Sequence, residues 1–241
     1  MKILDKVIGL VLSIKRRLRP LIAHIFQSNK YYLFEHNIKE SNKADFMPAI
    51  EDFTFKIITT SKQLENLVTS GFDFKQENIN FNFVRSLDMG AIAFCIFIRQ
   101  KLAHVGWIAM TEKAKNTFES LPYHIDFSNG QACTGGTVTV PRYRGKGLMA
   151  YSYFKRFQFL KEKGVMSSRS AVSTRTIAAQ RVHARFCHVI YGQLRHLKIL
   201  FWESWRETLF EHGRQLDSRT KPQQNQGSFW RCRNSKQKRG K

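Results

Sequence analysis

Apolar residues recur at steps of three and four through the first stretch of the chain: Ile3, Val7, Leu10, Val11, Ile14, Leu18, Leu21, Ile22 and Ile25. That is the period of one helical face. Lys2, Lys6, Lys15, Arg16, Arg17 and Arg19 are interleaved with them. The pattern predicts a basic amphipathic helix over residues 1–27, bent or split at Pro20. Such a helix suits either a core to pack on or an anionic membrane surface. Residues 31–36 (YYLFEH) predict a short strand or a docked segment.

From Asp52 the pattern tightens. Residues 53–58 (FTFKII) alternate as a strand does. Thr59-Thr60-Ser61 then opens a capped helix that stops at Gly71. Residues 90–98 (GAIAFCIFI) are apolar enough for a central strand, and 102–110 return as its hairpin partner after a turn at 99–101. Residues 113–130 look irregular and insertion-like. Residues 131–140 (QACTGGTVTV) predict a further strand, with Gly135-Gly136 a bulge or a point of close approach. Leu148 to Lys163 predicts a helix closed at Gly164, Val165 to Ser173 a strand, and Thr174 or Thr176 the cap of another helix running to about Phe186. Residues 189–191 and 197–202 predict a closing pair of strands around Gly192. Beyond about Gly213 the composition turns to Gln, Asn, Lys, Arg and Ser, which predicts a disordered basic tail. The chain thus divides into an extension (1–50), a folded domain (51–210) and a tail (211–241).

Composition narrows the partners. Of 241 residues, 42% are hydrophobic and 20 are Phe, enough for one sizeable core. Forty Lys and Arg against 18 Asp and Glu leave a net charge of +22, which favours anionic partners. A phosphorylated cofactor, an acidic membrane and nucleic acid all qualify. No helix-turn-helix, zinc-finger or RNP-like motif appears, so nucleic acid would be held only through phosphates. The four cysteines lie far apart with no C-x-x-C pair, which predicts reduced thiols and no metal site. No apolar run reaches membrane-spanning length, and the basic cluster at 15–19 follows its apolar run rather than preceding it. A cytoplasmic protein is expected, peripheral on the inner face of a membrane if the first helix docks there.

The segment from Val138 to Leu148 (VTVPRYRGKGL) carries the chemistry. A strand ends at Pro141, two glycines turn the chain, and a helix starts. Helix starts expose unpartnered N–H groups and the positive end of the dipole, glycines allow a phosphate to approach them, and Arg142, Arg144 and Lys146 add charge. Neither the Walker A nor the G-x-G-x-x-G fingerprint is present. Arg142-x-x-Gly145-x-Gly147, after a strand and before a helix, resembles the acetyl-CoA loop of the GNAT superfamily of N-acetyltransferases.

That resemblance implies a central mixed, mostly antiparallel sheet flanked by helices, with two splayed strands at the cofactor cleft. It implies acetyl-CoA or another acyl-CoA as co-substrate, with the pyrophosphate held by Arg142, Arg144, Gly145, Lys146, Gly147 and Leu148. It implies the amide of Val138 or Val140 as oxyanion donor, Thr176 as a further cofactor contact, and direct transfer to an amine of a small molecule or peptide. His183 falls where the family often places a Tyr and is the expected general acid. Asp126 and His124 are the nearest upstream candidates for a base. The Asn and Gly-Phe that the family often shows downstream are missing. The alternative is a basic nucleic-acid- or membrane-binding protein whose GNAT-like domain is degenerate and non-catalytic.

Overall fold

The computed structural model describes residues 26–38, 43–76 and 78–214. The expected N-terminal helix and most of the basic tail lie outside these. Eight strands form one sheet in the order β2-β3-β4-β5-β6-β1-β7-β8. They are β1 (Phe26–Asn37), β2 (Thr54–Ile58), β3 (Ile92–Ile98), β4 (Lys101–Ala109), β5 (Gln131–Thr139), β6 (Ser167–Ser173), β7 (His188–Ile199) and β8 (Trp202–Arg214). The helices are α1 (Ser61–Thr69), α2 (Phe83–Asp88), α3 (Glu112–Lys115), α4 (Leu148–Glu162) and α5 (Ile177–His183). This is the expected mixed, mostly antiparallel sheet flanked by helices.

Local chemistry sets most boundaries. Thr60 caps α1 by accepting from the Gln63 N–H. The β3–β4 turn places Arg99 and Gln100 at positive φ, as a tight hairpin requires, without glycine. Nearly every residue of β3 and β4 is buried on both faces. Trp107, Phe97 and Leu102 anchor the core on the α1–α2 side. Leu148, Tyr151, Phe154 and Leu160 of α4 close the other side over Phe94 and Ile96.

Four expectations change. The segment at residues 31–36 belongs to a 12-residue strand inside the sheet, antiparallel to both β6 and β7. The closing strands are far longer than expected, and they turn at Leu200-Phe201; Gly192 lies instead at a shift of register. β8 therefore carries regular structure to Arg214, past the expected start of the tail at 211. Cys187 takes part in a disulfide, against the expectation of reduced thiols, whereas Cys95 and Cys133 are free and buried as expected.

Candidate functional site

β5 and β6 are the only parallel pair among the described strands, and they pair only briefly, Gln131–Cys133 against Ser167–Arg169. Beyond Cys133 they part. β5 is held by β4, with a shift of register between Val105 and Trp107 opposite Gly135 and Val138, so the bulge expected at Gly135-Gly136 is present. β6 is held by β1 along its whole length. Each strand is thus pulled toward a different neighbour, and a cleft of about 900 Å³ opens between them.

At one end of the cleft stands the glycine loop. Pro141 to Tyr143 make a 3-10 turn, and Gly145 and Gly147 follow at φ 76° and 81°. Gly147 is the N-cap of α4, and no side chain caps the helix. A first turn cannot satisfy its own N–H groups, so those of Leu148, Met149 and Ala150 stay open. A side chain at 147 would be strained by its φ and would meet the Pro48 backbone at 3.4 Å. The Lys146 carbonyl accepts from Ala49 N–H at 3.0 Å, which braces the loop from behind. Arg144, Arg181 and Arg185 line the cleft near this end, giving it a positive wall.

The predicted residues divide. Val138, Arg144, Gly145, Gly147, Leu148, Thr176 and His183 line the cleft, whereas Val140, Arg142, Lys146 and Asp126 do not. Arg142 stacks over Tyr143 and donates to Gln76 instead. The Val140 amide donates to the Ala103 carbonyl at 3.0 Å and is unavailable as an oxyanion donor. Amides alternate along a regular strand, so Val138, opposite Val105, also turns its N–H toward β4, and that of Thr139 faces the gap. Asp126 sits beyond the closed end of the splay, where its carboxylate accepts from Ser128 and from the side chain and backbone of Asn129. These hydrogen bonds hold its pKa below the ordinary carboxylate value. It caps a turn and has no route to the cleft. His124 lies in the same turn, and its carbonyl accepts from Arg169.

His183 reaches the cleft, but its surroundings change its role. Burial holds its pKa well below the ordinary histidine value, reinforced by His36, Arg156 and His188. Its Nδ1 lies 3.2 Å from His36 Nε2, and Tyr153 and Phe34 pack on its ring. Held neutral, its imidazole is a poor acid toward a leaving thiolate, which counts against the general-acid role expected of His183.

Two residues that the sequence did not reveal fit the acid–base work better. Glu119, after α3, lines the cleft beside Gly135, where a Cβ would meet its Oε2 at 3.4 Å. Burial raises its pKa, against the opposing pull of the Leu121 N–H and Lys115. Among the described residues it is the only acid lining the cleft. Tyr153, on α4, lines the cleft as a protonated phenol, its pKa raised by burial. The guanidinium of Arg156 stacks 3.7 Å from the centre of its ring and donates to Thr137 Oγ1 at 3.3 Å. Arg156 is fully buried, and the described residues include no carboxylate paired with it. Glu119 hid in a stretch without periodicity. Tyr153 looked like any apolar-stripe residue of α4.

No family model matches the chain, and no curated protein matches it. Among solved structures it is similar to a putative acetyltransferase of the GNAT family from Novosphingobium aromaticivorans (11% identity, TM-score 0.45, 70% of this chain and 63% of that one). It is similar to a GNAT-family acetyltransferase from Colwellia psychrerythraea (14%, TM-score 0.45, 72% and 57%). It is also similar to a GCN5-related N-acetyltransferase-like protein from Streptococcus suis (13%, TM-score 0.44, 80% and 67%). The chain spans less than two thirds of the length of the first two. At these values the likeness carries no argument, and the functional reading rests on the cleft. The strand order, the splayed parallel pair and the glycine loop opening α4 are the arrangement that the resemblance of the loop implied.

Proposed function

We propose that the protein is an N-acyltransferase that takes its acyl group from a CoA thioester, acetyl-CoA being the simplest donor, and passes it to an amine. The observation that carries this reading is the gap between β5 and β6. It joins an anion-binding helix start at one end to a half-buried carboxylate, the one acid among the described residues that line the cleft, at the other. The span from Gly135 to Thr139 is four strand residues, about 13 Å. An extended thiol arm fits such a gap, with its phosphates against Arg144 and the open N–H groups of α4. The group supplies an activated thioester carbonyl when bound.

The chain's own residues then have distinct work. Glu119 accepts a proton from the incoming ammonium, and burial, which raises its pKa, makes it a stronger base than an exposed carboxylate. It is also a negative charge in a positive cleft, which selects a cationic amine. The Thr139 amide stabilises the carbonyl oxygen as charge develops there. Tyr153 gives its phenolic proton to the departing sulfur, and Arg156 beside it stabilises the phenolate until solvent returns the proton. The degenerate alternative drew on the missing base, and Glu119 supports the catalytic reading.

The test has two arms. Acetyl-CoA in large excess is expected to raise the melting temperature, and no shift refutes the cofactor assignment. Glu119→Gln is expected to keep that shift while lowering amine acylation roughly a hundredfold or more. Unchanged turnover assigns the base elsewhere.

A further inference from the structure

The β7–β8 hairpin ends in a cluster of exposed apolar side chains that no core absorbs. Ile199, Leu200, Phe201 and Trp202 follow one another, and Phe201 is fully exposed. Leu200 sits at φ 53°, which fixes a tight turn and thrusts the next residue outward. Single exposed apolar residues are ordinary; four in sequence at the tip of a long hairpin are not.

The register of the strands adds a second observation. Lys30 of β1 stands directly opposite Arg195 of β7, which stands opposite Arg206 of β8. Directly opposed residues share a face, so three cations lie in a row, all exposed. Ile199 and Trp202, also opposed, lie on that same face four residues further along, about 13 Å away. Arg175 joins them, its guanidinium donating to the Ser28 carbonyl. Glu203 and Glu207 point the other way: Glu203 is opposite Lys198 with its carboxylate 2.8 Å from His196 Nε2, and Glu207 is opposite Leu194. Like charges in a cross-strand row oppose folding, and nothing among the described residues offsets them. Such a row is stabilised by an anionic partner.

We infer that this end of the sheet docks on an anionic phospholipid surface, the hairpin tip entering the interface and the Lys30–Arg195–Arg206 row meeting the headgroups. A tip that enters the boundary by about 5–10 Å leaves cations roughly 13 Å behind it at headgroup level. The chain enters β1 at Phe26, which is paired with Ile199 at the tip. The segment before it, with six Lys or Arg and one acid, therefore joins the fold at the same end. A second copy of a +22 chain, or that segment folded back on the body, would face charge repulsion, which an anionic bilayer relieves. Nucleic acid would suit the row but gives the aliphatic residues of the tip no role.

The experiment uses the full chain and vesicles of phosphatidylcholine with or without phosphatidylglycerol. Binding is expected only with the anionic lipid. Arg195→Gln with Arg206→Gln should weaken it roughly thirtyfold. Relief of the repelling row should leave thermal stability equal or higher, which separates lost binding from lost folding. Phe201→Ser should weaken binding roughly tenfold or more. Lipids brominated near the headgroup should quench tryptophan emission, and Trp202→Phe should remove that part of the quenching. Binding insensitive to these four substitutions places the contact elsewhere and overturns the inference. So does a dimer that Phe201→Ser dissociates, without vesicle binding. Binding of a single-stranded oligonucleotide with the same arginine dependence, in place of vesicles, overturns it too.

Discussion

Lowering the pH from about 7 to 5 should unfold this protein far more readily than an ordinary domain. His36 and His104 are fully buried, and burial pushes both pKa values down to about 3, further lowered by His188 at His36 and by Arg156 at both. In the unfolded chain a histidine titrates near 6.5. The folded pKa is depressed, so the stability is complete above about pH 6.5 and is lost as the pH falls toward 3. At pH 5 each unfolded histidine has taken up its proton while each folded one has not. Each therefore costs about 2 kcal/mol by that point, at about 1.4 kcal/mol per pH unit per proton. Two sum to about 4 kcal/mol, a large part of the 5–15 kcal/mol that holds a typical domain. His183 and His188 are shifted the same way and add to the slope. Glu119 works in the opposite sense. Its raised pKa gives stability that is full below the unfolded value of about 4.5 and lost as the pH rises through the folded one. One group does not reverse at least two. Urea unfolding across this range should show ΔG falling by at least 2 kcal/mol per pH unit. His36→Phe, among the rings of Phe34 and Phe157, should remove about one proton from that slope. A flat profile, or an unchanged slope in the variant, would show that these imidazoles are charged in the folded state.

Further predictions follow from the cleft and its supports. Gly147→Val puts a branched side chain at positive φ against Pro48; it should cost about 1–2 kcal/mol and abolish the acetyl-CoA melting shift, both read in one thermal scan. Gly106→Ala places a Cβ 2.8 Å from Arg156 Cζ and should destabilise by about 1–3 kcal/mol. Adding Arg156→Met should recover most of that stability, and a double-mutant cycle in urea measures the coupling. The same Arg156→Met change should slow acyl transfer while leaving the cofactor shift in place. His183→Gln should keep acylation within about tenfold of the parent, since an imidazole held neutral is a poor acid toward a thiolate; a loss of about a thousandfold or more would restore it as the acid.

The glycine loop was legible because its whole mechanism is local: a strand end, two turn residues and a helix start within eleven positions. The hairpin of β3 and β4 was legible for the same reason. β1 was not, since its partners Ser167–Ser173 and His188–Ile199 lie far along the chain and its first residues, Gln27 to Lys30, are polar. The β7–β8 turn lacks every usual punctuating residue. Leu200-Phe201 reads as strand interior, whereas Gly192 reads as a turn and proves to be a shift of register. α2 escaped because its six residues carry little periodicity, although Asn82 caps it by accepting from the Arg85 N–H. The acid–base residues were hidden for another reason. Spacing reveals a motif, but the chemistry of Glu119 and Tyr153 comes from burial, which only the assembled sheet creates.

The position of β1 sets an order on events. Tyr31 leaves the ribosome early, yet it can pair only when Ser173 and Leu194 have been made. The β2–β5 half, held by hairpins and neighbours in sequence, can assemble as it emerges. The β6-β1-β7-β8 half must hold its first strand in waiting until its last ones arrive, a long loop closure of the kind that slows folding. The cleft lies on the seam between the halves. Acyl-donor binding should therefore be the last property the newborn chain acquires, and the first lost when either end is cut back.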